Sequence, residues 1–157
     1  MVLVDPAFRR QGIGLQLLGE ALEILKNEET IKLDATPDGR ILYQQLGFKD
    51  EYKLSRLKVN NVTDIPETDV EVMTESDLDL VFMYDQPVFG AQRRELLTWQ
   101  FTGGREFAFI KKVKGNVAGY CMGRKGFHFS HIGPVVAEDF NTARALVSAA
   151  LKNSSGV

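Results

Sequence analysis

Apolar residues recur along the chain with two different periods. Leu15, Leu18, Leu22 and Leu25 return every three or four residues and predict a helix with one apolar stripe, starting beside Gly14 and ending near Asn27-Glu28-Glu29. Ahead of it, Val2-Leu3-Val4 reads as a short apolar strand that turns at Asp5-Pro6. Ile31-Lys32-Leu33-Asp34-Ala35 alternates and predicts a second strand. Thr36 is placed as an N-cap with Pro37 at the first helical position, so a short helix follows as far as Leu46 and stops at Gly47. Phe48 opens an extended run through Tyr52, Leu54, Arg56 and Leu57 to Val59.

The second part follows a different order. Asn60 to Asp69 is polar, turn-rich and contains Pro66, which predicts a linker. Val70-Glu71-Val72 predicts a short strand, and Thr74-Glu75-Ser76-Asp77 a capped helix entry leading to Leu78, Val81 and Phe82. Asp85-Gln86-Pro87-Val88-Phe89-Gly90 is expected to break that helix, and Ala91 to Gln100 to form another. Thr102-Gly103-Gly104-Arg105 turns the chain. Phe107 to Ile110 and Val117 to Met122 predict a hairpin around Lys114-Gly115-Asn116. Phe129 to Val136 predicts a strand broken at Gly133-Pro134, and Glu138 to Leu151 a helix with Ala143, Leu146, Val147 and Ala150 as its stripe.

Composition narrows the class. The chain has 157 residues, 44% of them hydrophobic and 25% charged, an ordinary balance for a globular protein of one or two small domains. A net charge of −2 implies no general affinity for nucleic acid or for membrane surfaces. The single Cys121 cannot form an intrachain disulfide, and it fits an apolar strand better than a nucleophilic role. With neither a spanning apolar run nor a signal peptide in this sequence, a cytoplasmic setting is expected. His128 and His131, three apart in a predicted strand, point to opposite faces, so no metal site is expected. Asp85, Arg93 and Arg94 could line a pocket or lie on a solvated helix face. Lys111-Lys112-Val113-Lys114 reads as an exposed hairpin tip.

The chemistry lies in Asp5-Pro6-Ala7-Phe8-Arg9-Arg10-Gln11-Gly12-Ile13-Gly14. It sits between a strand and a helix, where first-turn N–H groups lack partners and the helix dipole is positive. Gly12 and Gly14 let a ligand approach the backbone, and Arg9 and Arg10 add charge, so the loop is a cradle for phosphate or pyrophosphate. No Gly-Lys-Ser/Thr follows, and G-x-G-x-x-G is absent, which excludes the two common nucleotide-loop patterns. Arg9-x-x-Gly12-x-Gly14 resembles the coenzyme A pyrophosphate loop of the GNAT superfamily of N-acetyltransferases. The resemblance implies cofactor binding by Val4, Arg9, Arg10, Gln11, Gly12, Ile13 and Gly14, with acetyl-CoA as co-substrate.

Leu33-Asp34-Ala35-Thr36-Pro37-Asp38-Gly39-Arg40-Ile41-Leu42-Tyr43-Gln44-Gln45-Leu46-Gly47-Phe48 is similar to the segment that follows this loop in the same family. Tyr43 is then implied as the general acid that protonates the departing thiolate. The alternative reading of Tyr43 is a core aromatic on an amphipathic helix, stacked with Leu42 and Leu46. Phe89-Gly90-Ala91-Gln92-Arg93 and His131-Ile132-Gly133-Pro134-Val135-Val136-Ala137 resemble the second unit of two-domain GNAT proteins. Its loop position, Val136-Ala137-Glu138-Asp139-Phe140-Asn141, has no glycine and two acids, which disfavour a pyrophosphate there.

The resemblance implies an α/β (α+β) fold with a mixed, mostly antiparallel sheet flanked by helices. Residues 1–59 are expected to be the C-terminal half of one GNAT domain, 60–69 a linker, and 70–157 the N-terminal part of a second. Truncation at both ends is expected. The implied activity is acetyl transfer to a small-molecule or peptide amine, with no nucleic-acid or membrane partner and with a homodimer able to complete the sheet. The alternatives are a non-catalytic coenzyme A-binding or interaction module and an inert fragment.

Overall fold

Lys114 (φ 52°) and Gly115 (φ 83°) both take the left-handed backbone that closes a two-residue hairpin of type I′. They join β2 (Phe109–Val113) to β3 (Asn116–Arg124), with Val113 paired to Asn116 at the closing rung. β3 pairs on its other side with β4 (His131–Ala137), and β2 with the short β1 (Glu71–Val72), so the antiparallel sheet has the order β1-β2-β3-β4. The computed structural model describes residues 2–55, 57–59 and 65–154. The predicted linker residues 60–64, and Arg56 in the extended run, lie outside the described residues.

The strand alternation feeds two cores. Ile110, Tyr120 and Met122 pack with Met73, Val81, Phe82, Leu97 and Phe101. Phe109 and Cys121, one residue out of phase, pack instead with Leu146, Ala149 and Ala150. The sheet is therefore covered on one face by α3 (Leu78–Phe89) and α4 (Arg94–Gly103), and on the other by α5 (Phe140–Ser154). The α5 stripe is wider than its apolar spacing suggested: Thr142 and Ala149 are buried with Leu146 and Ala150, while Ala143 and Val147 are half-buried.

Several predicted boundaries move. α3 is not broken at Asp85–Gly90; it runs through Pro87 to Phe89 and ends at Gly90 in a left-handed cap (φ 86°). Pro87 removes only one amide donor, in the last turn, and the Gly90 amide still reaches the Gln86 carbonyl at 2.9 Å. The second helix starts three residues later than predicted, at Arg94. β4 continues through Gly133 and Pro134, with a register shift opposite Cys121 to Gly123. Among the described strands only β3 pairs with β4, so the missing proline N–H costs no ladder bond on the open edge. His128 precedes β4 rather than lying in it. Lys111 and Lys112 are not at the exposed tip. Lys111 pairs with Asp69, and Lys112 lies 2.7 Å from Asp77 and 3.2 Å from Glu71; only Lys114 of the run is in the turn.

The chain divides into two units, Met1–Lys58 and Val59–Val157, and the sheet belongs to the second. The first contains α1 (Ile13–Ile24) and α2 (Pro37–Gln45). α1 ends before the predicted Asn27; tighter turns carry the chain on to Glu28, whose amide bonds to Leu25 at 2.9 Å. Leu18 alone of the α1 stripe is buried. None of the three strands predicted in this unit forms among the described residues. A strand requires a neighbour about 4.8 Å away. Residues 31–35 and 48–54 instead line an open cleft of about 1480 Å³, crossed by a Lys32–Glu51 bridge of 2.9 Å.

Candidate functional site

The segment from Val4 to Gly14 folds as a sequence of small local decisions. The Asp5 carboxylate accepts the Ala7 amide at 2.8 Å, capping a 3₁₀ turn over Pro6–Phe8. Arg9 then leaves the turn with extended backbone, and its Nε donates to the Val4 carbonyl at 3.2 Å. Arg10 (φ 64°) and Gly12 (φ 78°) both adopt left-handed backbone, which turns the chain into α1. The first bond of α1 runs from the Gln16 amide to the Gly12 carbonyl at 3.0 Å. The amides of Ile13, Gly14 and Leu15 precede it, and no side chain caps them. No acid lies in the first turn, and Arg9, Arg10, Gln11 and Gly12 are exposed. Gly14 lies against Val4: a Cβ there would meet the Val4 Cγ2 at 3.6 Å, an ordinary contact. Val4, Arg9, Arg10, Gln11, Gly12, Ile13 and Gly14 thus form one turn that leads into uncapped helix N–H groups and carries two exposed arginines.

The corresponding corner of the second unit is built in the opposite way. Asp139 precedes α5 and accepts the Thr142 amide at 2.8 Å and its hydroxyl at 3.1 Å. These bonds, the backbone one foremost, hold the Asp139 carboxyl below its ordinary range. A carboxylate therefore occupies the end of α5 where an anion would sit.

Tyr43 lies in the last turn of α2. Thr36 Oγ1 caps the start of this helix by accepting the Gly39 amide at 3.2 Å. At the other end the Phe48 amide reaches the Tyr43 carbonyl at 3.1 Å, and the Gly47 amide (φ 89°) reaches Gln44 at 3.1 Å. This is a Schellman ending, completed by the edge-on contact of Tyr43 with Phe48, ring centroids 6.1 Å apart. The Tyr-x-x-x-Gly-Phe spacing is thus first a helix stop. Tyr43 also lines the open cleft, with Thr36, Arg40, Gln44 and Asp50. Arg40 and Asp50 form a forked pair there, at 2.9 and 2.6 Å.

Asp85 and Arg93 are joined in one buried pair, and of the three only Arg94 lies on a solvated face. Asp85 is 1% exposed. Arg93 grips both its oxygens at 2.7 Å and lies 3.9 Å over the Phe89 ring, and the Tyr120 hydroxyl donates to the same carboxylate. The Arg93 bonds hold Asp85 below its ordinary value, against the opposing effect of burial. Desolvation and the neighbouring carboxylate push the Tyr120 phenol upward. Arg94 pairs with Asp79 at 2.7 Å. One signal for the network was present in the sequence: Leu78, Val81, Phe82 and Asp85 share a helical stripe, and an acid on an apolar stripe needs a buried partner. Cys121 is fully buried, and burial raises its thiol to about 12. Among the described residues no group of three His, Cys, Asp or Glu side chains could hold a metal ion, and no helix is long and apolar enough to cross a membrane.

Two family models match the chain, each described as an acetyltransferase (GNAT) domain, one over residues 1–50 and one over residues 81–157. The chain belongs to the GNAT superfamily. GNAT domains generally use acetyl-CoA, and membership makes this a chain of a transferase family. It is 28% identical over 151 residues to holothin acyltransferase of Pseudoalteromonas sp. (strain SANK 73390), covering 95% of this chain and 51% of that protein. It is 21% identical over 151 residues to the uncharacterized N-acetyltransferase YitH of Bacillus subtilis (strain 168), covering 94% of this chain and 54% of that one. The crystal structure of a candidate acetyltransferase from Pyrococcus horikoshii superposes with a TM-score of 0.69 at 25% identity, over 96% of this chain and 50% of that chain. The GNAT chain described here spans about half the length of the curated relatives it matches.

Proposed function

We propose that the first unit binds acetyl-CoA at the Arg9–Gly14 corner and serves an N-acetyltransferase. The observation that carries this reading is the start of α1: Gly12 in left-handed backbone, no side-chain cap, no first-turn acid, and Arg9 and Arg10 alongside. Exposed N–H groups at a positive helix end suit a diphosphate. Residues 1–59 then act as the C-terminal half of one GNAT domain, and 70–157 as the N-terminal part of a second that takes no coenzyme A. In the reaction a neutral amine attacks the thioester carbonyl carbon, and the C–S bond breaks as the tetrahedral intermediate collapses. Tyr43 gives its proton to the departing thiolate, while the proton lost by the attacking nitrogen passes to solvent, from which the Tyr43 phenolate is reprotonated. A small-molecule or peptide amine is the acceptor, and the cytoplasm is the setting.

The test is a thermal-shift and calorimetric titration with coenzyme A, run beside thiol release from acetyl-CoA with a panel of amines. Binding that weakens about tenfold or more in Arg9→Ala supports the corner, since each charge-assisted contact contributes on that scale. Binding without thiol release assigns the chain to a non-catalytic coenzyme A module. No binding overturns the reading.

A further inference from the structure

The connection between β3 and β4 carries the most exposed large hydrophobic side chain among the described residues: Phe127 is 96% exposed and Phe129 52%. Between them stands His128, its ring 4.6 Å from that of Phe127 and 6.3 Å from that of Phe129. Every residue from Arg124 to His131 is exposed except the half-buried Gly126. That segment, Arg124-Lys125-Gly126-Phe127-His128-Phe129-Ser130-His131, contains two permanent cations, two imidazoles and no carboxylate. Glu106 approaches Lys125, at 3.6 Å. The chain as a whole carries a charge of −2, so this is a local reversal of sign.

We propose that this hairpin end docks on a lipid surface bearing anionic headgroups. Phenyl rings at an exposed tip gain by entering the boundary of the acyl chains, while flanking arginine and lysine stay with the headgroups. The ring geometry disfavours single-stranded nucleic acid as the occupant. The Phe127 and His128 planes stand at 81°, and those of His128 and Phe129 at 52°, so neither adjacent pair of rings presents parallel faces to successive bases. The proposal stands independently of the acetyl-transfer reading.

The test is co-sedimentation of the whole chain with vesicles of phosphatidylcholine alone, and of phosphatidylcholine and phosphatidylserine mixed two to one. The expected result is binding to the mixed vesicles only, weakened by added salt. Arg124→Gln reduces it about fivefold, the effect of one surface cation. Phe127→Ala reduces it about tenfold through lost apolar burial. Both positions are exposed, and circular dichroism confirms that each variant folds. Absence of binding, equal binding to the neutral vesicles, or an unchanged Phe127→Ala variant overturns the proposal. So does binding of a fluorescent uridine oligonucleotide that Phe127→Ala abolishes while vesicles stay unbound.

Discussion

The Asp139 carboxylate accepts the Thr142 amide at 2.8 Å, closing the start of α5 with the chain's own negative charge. At the start of α1 the corresponding place is held by Gly12, which has no side chain to offer. The two helix starts are thus electrostatically opposite: one self-neutralised, the other available. Calorimetric titration with coenzyme A is expected to give one equivalent per chain. Asp139→Ala should lower the melting temperature by a few degrees through loss of the cap, and leave the stoichiometry at one. The Asp139 carboxyl is held below its ordinary 3.8, so its share of stability is present above that value and is lost as pH falls through the lower folded-state value. A second equivalent in the wild-type protein would contradict this division of roles.

Tyr43 has two duties that one substitution separates. Its ring completes the Schellman ending of α2 against Phe48, and its hydroxyl is proposed to protonate the thiolate. Tyr43→Phe keeps the ring and removes the proton. The expected outcome is an unchanged melting curve and an unchanged coenzyme A Kd, with kcat reduced about a hundredfold or more. Tyr43→Ala, by contrast, should also destabilise the first unit. Equal activity in wild type and Tyr43→Phe would leave the residue with its structural duty alone.

Local signals were read correctly from the sequence where the chain makes its own decisions. Thr36 and Gly47 bound α2, Lys114-Gly115 turns the hairpin, and Thr74-Glu75-Ser76-Asp77 enters α3 with Asp77 accepting the Thr74 amide at 2.8 Å. The errors lie where partners decide. Ile31 to Ala35 has a strand's alternation, but an alternating segment becomes a strand only beside another, and an open cleft lies there instead. Pro87 reads as a breaker, yet in a last turn it forfeits one bond and no more. The glycine-bearing turn from Arg9 to Gly14 into the start of α1 was legible because it depends on glycine backbone and a helix start, both local. Of the Asp85–Arg93–Tyr120 network only the acid on its apolar stripe left a sign in the sequence; its partner Tyr120 did not, because it is 35 residues from Asp85 and reaches it only once the sheet forms.

That network should govern the stability of the second unit. Asp85→Ala leaves Arg93 without its carboxylate in a site where the guanidinium side chain is only 18% exposed. Breaking such a buried pair costs about 3–5 kcal/mol. Tyr120→Phe removes one donor but leaves the Arg93 fork intact, which costs about 1 kcal/mol. Denaturant unfolding followed by circular dichroism measures both. The pH dependence has a fixed sign: Arg93 holds Asp85 below 3.8, so the pair stabilises fully above that value, and the contribution disappears as pH falls through the folded-state value. The raised Tyr120 phenol acts at the other end, stabilising below its ordinary 10.0 and losing that effect as pH rises through the folded-state value. A variant that melts like the wild type at neutral pH would show the network to be dispensable.

Two glycines with the same side chain should respond to alanine in opposite directions. Gly119 lies in β3, where an added Cβ would come within 2.8 Å of the Val136 carbonyl oxygen and 3.0 Å of both the Ala137 Cβ and the Leu146 Cδ1. The obstacles are the backbone of the paired strand and a buried leucine of α5, neither of which can retreat cheaply. Gly119→Ala is therefore expected to cost about 1–3 kcal/mol, as overpacking does. Gly19 lies in the middle of α1 with nothing within 4 Å of the same added atom. There alanine removes backbone freedom from the unfolded chain and meets no clash, so Gly19→Ala should stabilise α1 by up to about 1 kcal/mol. Hydrogen exchange resolves the two effects: faster exchange at the β3 and β4 amides in Gly119→Ala, slower exchange along α1 in Gly19→Ala. If both variants shifted the same way, the close approach of β4 and α5 to Gly119 would be wrong.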